Sequence, residues 1–76
     1  DYPTLIASNM DVPGMVAKVS KVLFEAKINI AQMHLYRASR GKNSVLIAEC
    51  DQEIENKTLN DIRDLDGIMK VSYLGK

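Results

Sequence analysis

Two amphipathic stretches and four short apolar runs alternate along the 76 residues in a regular order. Tyr2-Pro3-Thr4-Leu5-Ile6-Ala7-Ser8 reads as a strand, with Pro3 at its start, where a missing N–H does least harm. Asn9-Met10-Asp11-Val12-Pro13-Gly14 combines a turn with a helix start. Asp11 is the expected N-cap, and Pro13 suits a first helical turn. Met15, Val16, Val19, Val22, Leu23 and Ala26 then recur at helical spacing, with Lys18, Lys21, Glu25 and Lys27 between them.

Ile28 to Tyr36 changes period. Ile28 and Ile30 share one strand face and Met33 and Leu35 the other, which predicts a bulge or a strand covered on both sides. Ser39-Arg40-Gly41-Lys42-Asn43 reads as a hairpin loop, and Val45-Leu46-Ile47-Ala48 as a central strand. After polar Asp51–Asn56, Leu59, Ile62 and Leu65 predict a second helix that stops at Asp66-Gly67. Ile68, Met69, Val71, Tyr73 and Leu74 form the last strand.

The predicted order is βαββαβ. Two right-handed βαβ units give an α+β, ferredoxin-like sandwich: a four-stranded antiparallel sheet with both helices on one face. Residues 1–76 form one domain, since half this length could not bury a core. One sheet face and the sheet edges are left open, an arrangement that favours association.

Composition narrows the function classes. Ten Lys+Arg balance ten Asp+Glu, which argues against a nucleic-acid or membrane-surface module. No apolar run reaches the roughly 20 residues that span a bilayer, and the start lacks a secretory signal. The single Cys excludes an internal disulfide. A cytoplasmic domain is expected. The chain does not begin with Met, which suggests a segment of something larger.

Chemistry is scarce. Metal-chaperone domains of this topology need paired thiolates in the first loop, and RNA-binding ones need aromatics on the central strands; neither is present. Cys50 reads as a small buried apolar residue. His34 has no nucleophile or ligand companions and reads as structural or interfacial. The acidic residues Glu49, Asp51, Glu53 and Glu55 read as a solvated loop rather than a cation site. Arg37, Arg40 and Lys42 crowd the hairpin, either solvated or ready to dock on an acidic partner. No catalytic and no metal residues are assigned.

The first loop is different. Asn9, Asp11 and Gly14 bring two polar side chains and a bare backbone to a helix N-terminus. The amides and dipole there favour a carboxylate, and Asp11 or Asn9 can accept from an ammonium. The bland reading has Asp11 as a cap and Gly14 as a packing residue.

Asp11-Val12-Pro13-Gly14-Met15-Val16 followed by Ile28-Asn29-Ile30-Ala31 resembles the ACT domain, a small regulatory module of amino-acid metabolism. The resemblance covers essentially the whole chain. Tyr2-Pro3-Thr4-Leu5-Ile6, Asn29-Ile30-Ala31-Gln32-Met33 with Arg37 beyond, and Ile47-Ala48-Glu49-Cys50-Asp51 resemble more closely the C-terminal domain of iron–sulfur L-serine dehydratase β chains. Those enzymes convert L-serine to pyruvate and ammonia at a [4Fe–4S] cluster held by another domain or chain. The regulatory domain of phosphoglycerate dehydrogenase is similar too, but usually has Asn where this chain has Asp11.

The resemblance implies a regulatory, dimerising domain that senses a small amino acid such as L-serine, pairs through its second strand and serves a catalytic chain or domain. It carries over an effector site of Asn9, Asp11 and Gly14 from one copy and Asn29 from the other. It implies no cofactor in this domain and a [4Fe–4S] cluster in the parent enzyme. A ligand-free scaffold or a response to a monovalent cation remain alternatives on the same resemblance.

Overall fold

The computed structural model describes residues 2–37 and 42–75. The observed order is β1 (Thr4–Met10), α1 (Met15–Glu25), β2 (Ile30–Arg37), β3 (Asn43–Cys50), α2 (Asn56–Arg63) and β4 (Ile68–Leu74). The four strands form one antiparallel sheet in the order β2-β3-β1-β4. This is the expected ferredoxin-like sandwich, with β2 and β4 at its edges. The predicted hairpin tip, Ser39 to Gly41, lies outside the described residues.

Strand alternation selects the core. Leu5 and Ala7 of β1, Leu46, Ala48 and Cys50 of β3, and Val71 of β4 point the same way. They close on Val19 and Leu23 of α1 and on Leu59 and Ile62 of α2, all buried. The uninterrupted run in β3 follows from its central place: Leu46 and Ala48 face the helices, while Val45 and Ile47 lie half-buried on the open face.

Two expectations about α1 and β2 change. Asp11 is not the N-cap. Gly14 holds that position with φ 87°, its carbonyl accepting the first helical bond from the Lys18 N–H (2.9 Å), and among the described residues no side chain caps the helix. The Asp11 carboxylate is drawn instead to a cation across the sheet, described below. The period change in β2 is a bulge: the register with β3 shifts between Ile30 and Gln32. Ile30 then pairs with Cys50 and Met33 with Ala48, so both face the helices. The expectation of apolar side chains on both faces of β2 therefore fails, because the extra residue returns Met33 and Leu35 to the side of Ile30.

Helix α2 is also shorter than predicted. It ends at Arg63, and Leu65 packs on the core from the turn that follows. Gly67 adopts φ 98° as the chain enters β4, and its carbonyl accepts from the Met10 N–H (2.8 Å). This ties the end of β1, and the loop that leaves it, to the far edge of the sheet. Among the described residues no helix is long and apolar enough to cross a membrane.

Candidate functional site

The register assembles the site. Asn9 of β1 pairs with Ser44 of β3, and Ser44 pairs with Arg37 of β2. One row across three strands thus ends beneath the first loop. Asn9 is fully buried; its Nδ2 donates to the Ala7 carbonyl (3.0 Å) and its Oδ1 accepts from the Ser44 hydroxyl (2.5 Å). Its side chain is engaged within the core, so it supports the loop from below. Burying the amide with both ends bonded avoids the cost of an unpaired polar group.

Above it, Met10 and Asp11 turn the chain. The Asp11 N–H donates to the Lys42 carbonyl (2.6 Å) and the Val12 N–H to the Met10 carbonyl (2.9 Å). The Asp11 carboxylate meets the Arg37 guanidinium: Nε at 2.9 Å and Nη2 at 2.7 Å both reach Oδ2. The Asp11 side chain is 12% exposed and that of Arg37 50%. Arg37, expected to be solvated or to dock on an acidic partner, has an acidic group of its own chain. Arginine suits such a fork, since its N–H groups are fixed in one plane.

Gly14 completes this end. A Cβ built on it would meet no described residue within 4 Å, so the described residues leave space over the entrance to α1. The positive φ, rather than crowding, is what calls for glycine here.

Asn29 lies elsewhere. It precedes β2, one strand length from Arg37, roughly 25 Å at about 3.3 Å per residue. Its N–H donates to Gln52 Oε1 (2.7 Å) and its Nδ2 to Asp51 Oδ2 (2.6 Å), while its carbonyl accepts from the Asp51 N–H (2.9 Å). It borders a hollow of about 460 Å³ formed with Phe24, Glu25, Lys27 and Ile28. A second hollow of about 400 Å³, between Tyr36, Arg37, Asn43, Val45 and Met69, opens at the opposite end of β2. Within one copy Asn29 and the first loop do not meet.

The other singled-out residues have local roles. His34 is exposed, its Nε2 3.2 Å from Gln32 Oε1 and its ring stacked on Tyr36 at 6.1 Å between centroids. Glu53 accepts from the Tyr73 hydroxyl (2.6 Å), which in turn accepts from the Ile54 N–H (2.9 Å). Burial pushes the Cys50 thiol above its ordinary value, and the neighbouring Asp51 charge adds to this. Among the described residues no group of His, Cys, Asp and Glu side chains is arranged to hold a metal ion.

The site that sequence reasoning missed is the Asp11–Arg37 pair. The signal was the register: once β1, β3 and β2 are aligned as a hairpin plus a crossover, the ends of β1 and β2 fall side by side.

The ACT domain family model matches residues 4–67. The chain belongs to the ACT domain family. ACT domains are small-molecule regulatory domains, and the curated relatives of this one are much longer enzymes. It is 29% identical over 70 residues to D-3-phosphoglycerate dehydrogenase 3, chloroplastic, of Arabidopsis thaliana, covering 92% of this chain and 12% of the relative. It is 28% identical over 74 residues to the probable L-serine dehydratase, beta chain, of Bacillus subtilis (strain 168), covering 97% of this chain and 34% of the relative. The ACT domain from GTP pyrophosphokinase of Chlorobium tepidum superposes with a TM-score of 0.66 at 19% identity, over 97% of this chain and 99% of that one. That last likeness shows the shared fold. This ACT domain spans about a third or less of the length of these curated relatives.

Proposed function

We propose that this ACT domain is the regulatory and pairing module of an L-serine dehydratase, and that it senses a small amino acid, L-serine foremost. The observation that carries this reading is the placement of the two halves of the motif at opposite ends of β2, an edge strand. Antiparallel pairing of β2 with its copy over the full strand would set Ile30 of one chain opposite Arg37 of the other. Asn29 of each copy then approaches the Asp11–Gly14 loop of its partner. The loop suits a zwitterion: uncapped amides and open space at Gly14 for the carboxylate, Asp11 for the ammonium, with Asn9 holding the loop from below.

Catalysis, L-serine to pyruvate and ammonia, belongs on this reading to another domain or chain. A [4Fe–4S] cluster is held by about four thiolates, and this chain has one Cys, buried and with a raised pKa. The residues present do not fit a cluster, so any cluster of the parent is held by other residues.

A second reading, a ligand-free dimerisation scaffold, is favoured by the engagement of Asp11 with Arg37 and of Asn29 with Asp51. A parent phosphoglycerate dehydrogenase is supported by the comparable identity to that relative; against it, Asp11 is acceptor-only where that family usually has an amide. Titration of L-serine while following backbone amide shifts separates sensor from scaffold. Shifts at Asp11, Gly14 and Asn29 are expected; none at millimolar serine would leave the scaffold.

A further inference from the structure

We propose that Arg37 is the specificity-determining residue of the first loop: it makes the loop admit zwitterions and refuse simple amines and monovalent cations. The inference rests on the amino-acid reading above and concerns which ligands that site takes.

The argument begins with occupancy. An ammonium that goes to Asp11 takes a position that a guanidinium already fills, with two nitrogens on one carboxylate oxygen at 2.7 and 2.9 Å. Asp11 is largely shielded from water, whereas Arg37 is half-exposed. Displacing Arg37 therefore costs a charge-assisted fork at a poorly solvated carboxylate. A bare amine or a potassium ion offers nothing in return. It adds one positive charge to the loop beside the amides at the start of α1, which already favour negative charge.

A zwitterion changes the balance. Its ammonium replaces the guanidinium at Asp11, and its carboxylate, lying beside the amides after Pro13, gives Arg37 a new anion. One ion pair becomes two and the net charge of the loop is unchanged. A guanidinium carries five N–H donors; Nε and one Nη2 hydrogen serve Asp11, and the others have no partner among the described residues. Arg37 can thus hold a carboxylate while keeping part of its contact with Asp11.

The test compares L-serine with ethanolamine, which is the same molecule without the carboxylate, and with potassium chloride. Amide shifts of Asp11 and Gly14 report binding to the wild-type protein and to Arg37→Gln. In the wild type, serine is expected to bind at least about tenfold more tightly than ethanolamine, the worth of one charge-assisted contact. In Arg37→Gln, serine should weaken by about tenfold or more while ethanolamine binds as well as in the wild type or better. Arg37→Lys, which keeps the charge and loses the fork, should fall between the two and serves if the glutamine variant folds poorly. Equal binding of serine and ethanolamine to the wild type overturns the proposal, as does a glutamine variant that binds serine unchanged or loses both ligands alike. No response of the wild type to serine overturns the amino-acid reading itself, a distinct outcome.

Discussion

Gly14 and Lys27 stand at the two ends of α1, and both adopt positive φ, 87° and 62°. The reasons differ. Gly14 starts the helix from a left-handed turn; Lys27 ends it, its N–H donating to Phe24 and the next N–H, of Ile28, to Leu23 (both 2.9 Å). That reverse pair of bonds is the usual helix stop with glycine at the left-handed position, and here a lysine carries its steric cost. Lys27→Gly should therefore stabilise the protein by about 0.5–1 kcal/mol, the left-handed penalty less the extra unfolded-chain entropy of glycine. Urea unfolding checks this, and a loss of stability would mean that the lysine side chain contributes more than its strained dihedral costs. Gly14→Ala is the converse. Its Cβ meets no described residue within 4 Å, so the roughly 1–2 kcal/mol expected to be lost is dihedral cost. The methyl group would also project into the space proposed for a ligand carboxylate, so serine shifts should fall by more than the stability loss explains.

At the scale of elements, Tyr73 pins the end of β4 to the segment between β3 and α2. Its hydroxyl donates to Glu53 and accepts from the Ile54 N–H. Tyr73→Phe removes both bonds and leaves the Ile54 amide without its partner, at a cost of about 1–2 kcal/mol by thermal or urea unfolding. Burial, then the bond to Glu53, raises the Tyr73 pKa above 10.0, against a smaller opposite pull from the Ile54 N–H. Burial and Asp51 likewise raise that of Cys50 above 9.0. In both cases the unfolded chain loses its proton first, so the folded state holds more protons and stability falls as pH rises. These two groups should make stability decline from about pH 9 upward, the fall beginning later in Cys50→Ala. The sequence made the element order legible, since periods of 3.6 and 2 are local properties. It misled where one residue alters the phase: the bulge at Ile30–Gln32 cannot be told from a strand buried on both faces until β3 lies beside it. Asp11 followed the same rule. A carboxylate two residues before Pro13 reads as a cap, and only the pairing of Arg37 with Ser44 and of Ser44 with Asn9 reveals a stronger attraction.

For the whole molecule, the separation of Asn29 from the first loop makes assembly part of the proposed function. β2 is an edge strand with one row of backbone groups unpaired within the sheet, and pairing it with its copy would extend four strands to eight. A two-fold arrangement is the one that makes two equivalent sites from two incomplete ones. Sedimentation should therefore show a dimer at concentrations on the order of tens of micromolar, enough to populate a micromolar interface. Linkage sharpens this expectation. A ligand that bridges Asp11 of one copy and Asn29 of the other binds only the dimer, so L-serine must tighten the dimer by the factor by which dimerisation tightens serine. Diluting the protein through its dissociation range should weaken the serine response, and adding serine should move the monomer–dimer midpoint to lower protein concentration. A protein that binds serine while monomeric at tens of micromolar, or one that binds serine equally at every dilution while dissociating, would show that each loop is complete within a single copy. Asn29 would then have no part in the site.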